Sequence, residues 1–330
     1  MVQIAIFNNK GGVGKTTYLY HIANILADIG ICTLMVDCDS QCNLTAYAIE
    51  DTEIKKCWTE KGNSIYRVIQ PVVENTGDIK MRQSYCIRQN LYLVPGDIDL
   101  SIYEDRLGET WYSASMQPAS IRVQIAFYRY IRFVAQKCNA QVVLIDLGPN
   151  LGALNRTVLG GCDYFITPLS PDLFSIKGTQ NLGNKFVSWH DEWENILRKW
   201  KKTGYGILLE DLPKGMPKFL GYVTQQHNIR DTKSGMTKGW SIFGDQVDEA
   251  VRRNIVQQLS PLGQSDIKEN YMLGKIPNLH SLIPYSLNAH KPVYKCNSSD
   301  GLKGAHISRA KESKDLYQDI IKIIKELLSV

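Results

Sequence analysis

The chain has 330 residues, of which 44% are hydrophobic and 22% are charged, proportions that are ordinary for a globular protein. No run of about 18 uninterrupted apolar residues occurs, which excludes a membrane-spanning helix, and the apolar run Val2–Phe7 is too short for the core of a signal peptide. The net charge of +5 permits binding to an acidic surface or a nucleic acid without requiring it.

The first elements along the chain predict a βαβ unit. Val2–Phe7 and Cys32–Val36 read as buried strands. Between them, Thr16–Ile29 has its apolar residues at helical spacing, and Gly30 ends the helix. A strand, a helix and a strand within about 35 residues place the two strands parallel in a sheet that is buried on both faces.

The same alternation continues, so we predict an α/β fold with a mostly parallel sheet and helices on both faces. We interpret residues 1–330 as a single domain with insertions at about 51–90, 201–218 and 225–270. The further predicted strands are Leu91–Val94, Val142–Ile145, Tyr164–Thr167 and Phe219–Thr224, and the further predicted helices are Ala119–Lys137, Lys177–Trp200 and Lys311–Leu328.

The eight cysteines form no C-x-x-C pair, and the closest two, Cys38 and Cys42, have no histidine near them in sequence. A zinc site is therefore not indicated. Reduced thiols in a cytoplasmic protein are the expected state.

The strongest motif is a glycine-rich loop, Asn9–Thr16, that follows a strand and opens a helix. Glycines allow successive backbone N–H groups to point at an anion, and the helix N-terminus adds its positive dipole end. Lys15 is predicted to reach the β- and γ-phosphates, and the Thr16 hydroxyl to ligate magnesium. Against the pattern G-x-x-x-x-G-K-[ST], Asn9 replaces the first glycine. The motif predicts a P-loop NTPase that binds ATP with Mg²⁺.

Three aspartates at strand ends are expected to complete this site. Asp146 follows the strand Val142–Ile145, at the edge where α/β sheets bind ligands, and a carboxylate there can hold magnesium through a water. Asp37 and Asp39 end the second strand and could orient the attacking water or a magnesium-bound water. A helix-capping or turn role stays open for each, most of all for Asp37.

The segment Lys10–Thr17 resembles the deviant Walker A motif of the ParA/MinD/Soj family. The resemblance implies that Lys10 crosses an ATP-bridged homodimer to touch the partner's phosphates. It also implies catalytic roles for Lys10 and Lys15. The nucleotide-binding residues that it implies are Lys10, Gly11, Gly12, Val13, Gly14, Lys15, Thr16 and Thr17.

Two further segments are similar to family motifs. Residues 36–45 look like the D-x-D-P-Q-x-N switch, with Ser40 in place of proline, and residues 144–152 look like the Walker B segment D-x-P-P-x-x-G, with Gly148 in place of the first proline. The resemblance assigns the hydrolytic role to Asp39. The resemblance also implies that Thr16, Asp39 and Asp146 bind the magnesium ion.

The later resemblance covers shorter elements. Residues 167–172 with 175–178 are similar to the family's next strand and its S-x-x-G helix start, and residues 276–277 and 291–293 look like its I-P…K-P-V element. By this resemblance Thr224 and Pro277 flank the adenine. The similarity covers about residues 1–49, 91–185 and 218–330, and the segment 225–270 could carry a partner-specific surface.

The resemblance implies an ATPase switch that partitions DNA or positions a cargo. An ATP-dependent homodimer would bind nonspecific DNA in the cytoplasm, associated with the nucleoid, and a partner protein would stimulate slow hydrolysis. Phosphate contacts from basic side chains would supply the DNA affinity, although the same residues could form a solvated helix face. The candidate basic residues are Arg198, Lys199, Lys201, Lys202, Arg252, Arg253, Lys303 and Lys311.

Two other functions stay open. The same switch could serve as a regulatory or scaffold subunit of a mobile-element or defence system. A membrane-associated positioner resembling MinD would need an amphipathic tail, which 316–328 provides. Asp315, Asp319 and Glu326 weaken its attraction to anionic lipid, so we expect a helix packed on the core and no membrane partner. An iron–sulfur protein of similar P-loop is excluded, because Leu147–Pro149 hold no cluster cysteine.

Overall fold

A computed structural model of the chain describes residues 1–203, 212–226, 246–279 and 281–329. Its strands form one sheet, in the order β3-β4-β2-β5-β1-β6-β7-β8, and each neighbouring pair is parallel except β3 with β4. This confirms the predicted α/β fold. The strands are β1 (Val2–Ile6), β2 (Thr33–Cys38), β3 (Tyr85–Arg88), β4 (Leu91–Val94), β5 (Val142–Leu147), β6 (Tyr164–Leu169), β7 (Lys218–Gln226) and β8 (Met272–Pro277).

Helices connect the strands and cover both faces of the sheet. A further helical stretch over 246–259 contains a π-helical turn at Arg252–Val256. The helices before it are α1 (Lys15–Asp28), α2 (Asn43–Ala48), α3 (Asp51–Cys57), α4 (Ile65–Val73), α5 (Leu100–Thr110), α6 (Pro118–Lys137), α7 (Ala153–Gly160) and α8 (Leu173–Thr203), and those after it are Ile283–Asn288, Ala305–Glu312 and Gln318–Leu328.

The central strands separate two hydrophobic cores. Successive side chains of a strand point to opposite faces, so Ile4 and Ile6 of β1 join one core while Ala5 and the following Phe7 join the other. All four are fully buried. Such burial on both faces explains why the strands are runs of apolar residues without polar alternation.

Strands β2 and β5 continue further than predicted. β2 reaches Cys38 and β5 reaches Leu147, because the parallel ladder between them continues through the pair Asp37–Asp146 to the pair Cys38–Leu147. Asp37 and Asp146 therefore lie inside paired strands and side by side, rather than just after the strand ends.

The predicted single C-terminal helix Lys311–Leu328 is wrong. The segment is divided into the helices Ala305–Glu312 and Gln318–Leu328 by a 3₁₀ turn at Ser313–Tyr317. The turn directs the buried Tyr317 ring onto His21, with ring centroids 5.3 Å apart.

The apolar face of the last helix packs against the core through Ile320 and Ile324, which are fully buried. Among the described residues, none of the helices has the length and apolar character to cross a membrane.

Of the three segments predicted as insertions, only 51–90 is described in full. Within 51–90, the fully buried Ile65, Val68 and Ile69 of α4 belong to one of the two cores. Residues 204–211 of the second segment and 227–245 of the third lie outside the described residues. The single-domain division stays a prediction.

A buried histidine joins α1 to the C-terminal part of the chain. The Nδ1 atom of His21 lies 2.7 Å from the Thr17 carbonyl, and Nε2 accepts a hydrogen bond of 3.0 Å from the backbone N–H of Val293. This arrangement requires the neutral ring with its proton on Nδ1. Burial lowers the pKa of His21 to about 4.

We predict that this histidine makes the protein less stable in mild acid. Between pH 6.5 and 4 the unfolded state binds a proton at His21 that the folded state does not bind, so stability falls as the pH falls through that window. Denaturant titrations should show a loss of about 2 kcal/mol from His21 between pH 7 and pH 5.

The variant His21→Gln should lose this part of the pH dependence, whereas His306→Gln, at an exposed position, should keep it. An unchanged pH profile in His21→Gln would contradict the assignment.

Candidate functional site

The glycine-rich loop joins β1 to α1 and has the backbone geometry of an anion cradle. Gly12 and Gly14 adopt left-handed conformations, with φ of +72° and +70°, which favour glycine. Val13 between them is buried and anchors the loop on the core. A Cβ atom on Gly14 would lie 1.6 Å from Nε2 of Gln225, so the Gln225 amide lies directly against the loop.

The two lysines of the loop have different surroundings. Lys15, at the start of α1, is only 7% exposed, and its Nζ atom lies 3.3 Å from the carbonyl oxygen of Lys10. Burial lowers the pKa of Lys15, against the opposing effect of the charges of Asp146 and Asp39. Lys10 instead forms an ion pair with Asp172. The structure therefore brings Lys15, but not Lys10, together with the strand-end acids.

Thr16 and Asp146 form the centre of the site. The Thr16 hydroxyl donates a hydrogen bond of 2.6 Å to Oδ2 of Asp146, and Oδ1 of Asp146 is buried without a hydrogen-bond partner. Burial raises the pKa of Asp146, and the nearby Asp37 raises it further. A buried acceptor that lacks a partner calls for a ligand, because such a group is costly to leave unsatisfied.

This donor set fits a magnesium ion. A hydroxyl and a carboxylate are hard oxygen donors, and Mg²⁺ is usually bound by one or two carboxylates, waters and substrate phosphates. Within the described parts of the chain, no three Asp, Glu, His or Cys side chains are grouped to hold a metal by themselves. Thr16 and Asp146 would thus hold the ion jointly with a bound triphosphate.

Asp37 has a structural role. Its Oδ2 accepts hydrogen bonds from the backbone N–H and the hydroxyl of Thr45, at 2.8 and 2.6 Å, and its Oδ1 accepts one from the N–H of Asp39. The Thr45 hydroxyl also accepts the N–H of Gly96 at 2.7 Å. The capping alternative describes Asp37 better than direct contact with water, because both its oxygens are engaged.

Asp39 lies beyond the strand end and is nearly buried. Its Oδ1 accepts the backbone N–H of Gln41 at 3.0 Å. A Cβ atom on Gly148 would lie 3.3 Å from the same oxygen, so the loop after β5 packs closely against this carboxylate. Its charge acts on Lys15, which places it on the P-loop side of the sheet edge.

The segment after β6 is tied to the start of the P-loop. The Asn8 amide donates to the Pro168 carbonyl at 2.6 Å, and its Oδ1 accepts the N–H of Lys10 at 2.9 Å. Asp172 accepts the backbone N–H of Ser175 at 2.9 Å near the start of α8 while it pairs with Lys10. The motif similarity identified this segment but gave Asp172 no role.

The ends of β7 and β8 carry the residues predicted to flank the base. Thr224 pairs with Lys275 and Gln226 with Pro277 in the parallel ladder, which places Thr224 and Pro277 on adjacent strands. The Thr224 hydroxyl is buried without a partner, and the next residue, Gln225, lies against Gly14. No sequence pattern marks Gln225, since only the fold brings this residue to the loop.

We predict that Gly96→Ala disrupts the support beneath Asp39. A Cβ atom there would lie 2.8 Å from Cγ of Asp37, which its three hydrogen bonds hold in place. Overpacking of this kind should lower the free energy of unfolding by about 1–3 kcal/mol, measured in urea.

The matched control is Gly108→Ala in α5, where an added Cβ meets no atom within 4 Å. This variant should be as stable as the wild type or slightly more stable. If both variants had the same stability, the close approach of Gly96 to Asp37 would not be the constraint.

The part of the chain that contains the glycine loop and the three aspartates matches a known family. A family model described as "AAA domain" matches residues 1–199. The sporulation initiation inhibitor protein Soj of Bacillus subtilis is 30% identical over 182 residues, which are 55% of this chain and 63% of Soj. The chain thus matches less than two thirds of that relative's length.

Two solved structures share the fold over nearly their whole length. Protein DIP2308 from Corynebacterium diphtheriae has a TM-score of 0.63 and 25% identity, with 88% of this chain and 97% of that chain covered. A plasmid partition protein from Borrelia burgdorferi B31, bound to AMPPNP, has a TM-score of 0.56 and 15% identity, with 98% of both chains covered.

Proposed function

The chain belongs to the family that the AAA-domain model describes and to the ParA/MinD/Soj group of P-loop ATPases, and from this premise we propose that it is an ATP-driven dimerisation switch for partitioning or positioning a cargo. The observation that carries the proposal is the Thr16–Asp146 hydrogen bond with the unsatisfied Oδ1 of Asp146 beside the P-loop.

Phosphate binding is the task of the loop and of Lys15. Backbone N–H groups at 11–16 and the start of α1 would hold the β- and γ-phosphates, and the ammonium group of Lys15 would neutralise part of their charge. Because Lys15 is buried next to Asp146, its head group is already positioned before the nucleotide arrives. Thr224 and Pro277 would flank the adenine.

Magnesium, when bound, would neutralise charge on the β- and γ-phosphates. Thr16 would ligate it directly and Asp146 would hold it directly or through a water, with Asp39 nearby. Asp39 is the residue to orient the attacking water, because Asp37 is engaged by Thr45 whereas Asp39 carries the charge next to the loop.

Lys10 would complete the site of a second copy. Its ion pair with Asp172 joins partners that are about a third exposed, so Lys10 can exchange Asp172 for a phosphate at modest cost. An ATP-dependent homodimer, nonspecific DNA binding, a cytoplasmic location at the nucleoid and a stimulating partner protein belong to this proposal. The Soj likeness and the shared fold of a plasmid partition protein support it.

The first test compares Lys15→Ala and Asp39→Ala. Lys15→Ala should weaken Mg·ATP binding by about 100-fold, because it removes a charge-assisted contact in a buried site. Asp39→Ala should keep ATP binding and lower turnover by about 100-fold or more, so that ATP-bound dimers accumulate.

Calorimetry measures the binding, phosphate release measures turnover, and sedimentation measures the dimer. Full ATP affinity in Lys15→Ala would contradict the phosphate site. A strictly monomeric Asp39→Ala protein with ATP would contradict the switch.

The second test concerns the restraint on Lys10. Asp172→Asn removes the charge partner of Lys10, while the Asn oxygen can still accept the N–H of Ser175. We expect a dimer dissociation constant about two- to fivefold lower with ATP, as expected for the loss of a partly exposed ion pair.

The control Asp78→Asn breaks a separate ion pair, with Arg129, and should leave the dimer unchanged. Weaker dimerisation in Asp172→Asn alone would mean that Asp172 supports the dimer instead of restraining Lys10.

A further inference from the structure

Two segments of the chain contain basic residues and no acidic ones. The segments 79–96 and 111–145 contain seven lysines and arginines and no aspartate or glutamate. The overall charge of +5 gives no hint of this local concentration. The seven residues are Lys80, Arg82, Arg88, Arg122, Arg129, Arg132 and Lys137.

Helix α6 carries four of these cations on its outer side. Its inner side is buried through residues such as Ile121 and Tyr130, whereas Arg122 and Lys137 are exposed. At 1.5 Å per residue, the row from Arg122 to Lys137 extends about 22 Å along the helix.

The segment before β3 is fixed beside this row. The Tyr130 hydroxyl donates to the backbone carbonyl of Arg82 at 3.2 Å. Arg129 holds Asp78 through two hydrogen bonds, of 2.8 and 2.9 Å. Lys80 belongs to this segment and adds to its positive charge. Arg82 and Arg88 are engaged elsewhere, because the Arg82 guanidinium donates to the Gly62 and Glu60 carbonyls and Arg88 pairs with Asp28.

Aromatic rings alternate with the cations. The guanidinium of Arg132 lies 5.4 Å from the centroid of the Tyr128 ring, and the ammonium of Lys137 lies 5.7 Å from that of Phe133. Both rings are half-buried and line a shallow groove of about 260 Å³ with Met81. The rings thus position the cations and do not project for insertion into a lipid layer.

We propose that this basic face, formed by Lys80, Arg122, Arg129, Arg132 and Lys137, binds the phosphate backbone of duplex nucleic acid. Arg129 would exchange the exposed carboxylate of Asp78 for a phosphate at modest cost. The inference rests on the proposed function, because it names the surface that the DNA of a partitioning switch would contact. A rigid row of about 22 Å matches the phosphates of about six base pairs, at 3.4 Å per phosphate along each strand. Guanidinium groups, the majority here, match phosphate geometry in a bidentate manner.

The basic face replaces part of the sequence-based candidate set. All three guanidinium nitrogens of Arg252, a member of that set, are engaged, by the Asp248 carboxylate and by the carbonyls of Lys268 and Glu269. Lys199 donates to the Ser115 hydroxyl. The exposed pair Lys201 and Lys202 at the end of α8 remains as the alternative surface and provides the matched control.

The experiment measures anisotropy of a labelled duplex of about 25 base pairs between about 50 and 200 mM salt with ATP present. The variant Arg122→Ala/Lys137→Ala changes two exposed positions. It should bind at least about tenfold more weakly and reduce the slope of log affinity against log salt by about 2, at about 0.9 per lost phosphate contact. The control Lys201→Ala/Lys202→Ala should bind as the wild type does.

Loss of duplex binding in the control alone would overturn the proposal in favour of the α8 end. Loss of binding to phosphatidylserine vesicles, with duplex binding intact, would overturn it in favour of a membrane surface. Calorimetry with Mg·ATP on each protein tests the ATP site independently of the basic face. A wild type that binds ATP but no duplex at low salt overturns the basic face and leaves the ATP site standing.

Discussion

The pairing of β2 with β5 is the constraint on which the site depends. Because Asp37 and Asp146 occupy the same register position on neighbouring parallel strands, two carboxylates are carried into a buried edge of the sheet. Buried like charges are unfavourable, and the structure compensates them with Thr45 on Asp37, with Thr16 on Asp146 and with the ammonium of Lys15. The unpaired oxygen of Asp146 is what remains for a ligand.

The same edge explains how the acids divide their tasks. The Asp37 carboxylate accepts hydrogen bonds from the backbone N–H groups of Asp39 and of Thr45 in α2. These bonds fix the loop between β2 and α2 and thereby position Asp39. Gly96 and Gly148 provide the space for the two carboxylates, since a side chain at either position would press on them. The site is thus built by one acid that holds the loop and one that faces the P-loop lysine.

The sequence predicted well what is encoded locally. The glycine loop and the buried strands follow from glycine spacing and apolar runs, and these need no knowledge of distant contacts. The predicted strands stopped before Asp37 and Asp146, because the ladder that extends them is a contact between distant segments. The contacts of Lys10 with Asp172 and of Gln225 with Gly14 could not be foreseen, because they join residues 162 and 211 positions apart. The break before Gln318 was missed for a similar reason, since the stacking of Tyr317 on His21 overrides a continuous helical pattern.

The hydrogen bond from Val293 to His21 has a consequence for how the protein is made. It joins residues 272 positions apart, so α1, which follows the P-loop, acquires this contact only after residue 293 has left the ribosome. A chain that stops before Val293 has the glycine loop but lacks this contact with the helix that follows it. The support of α1 at His21 would therefore be completed late in synthesis, after residues 142–169 of the central strands have emerged.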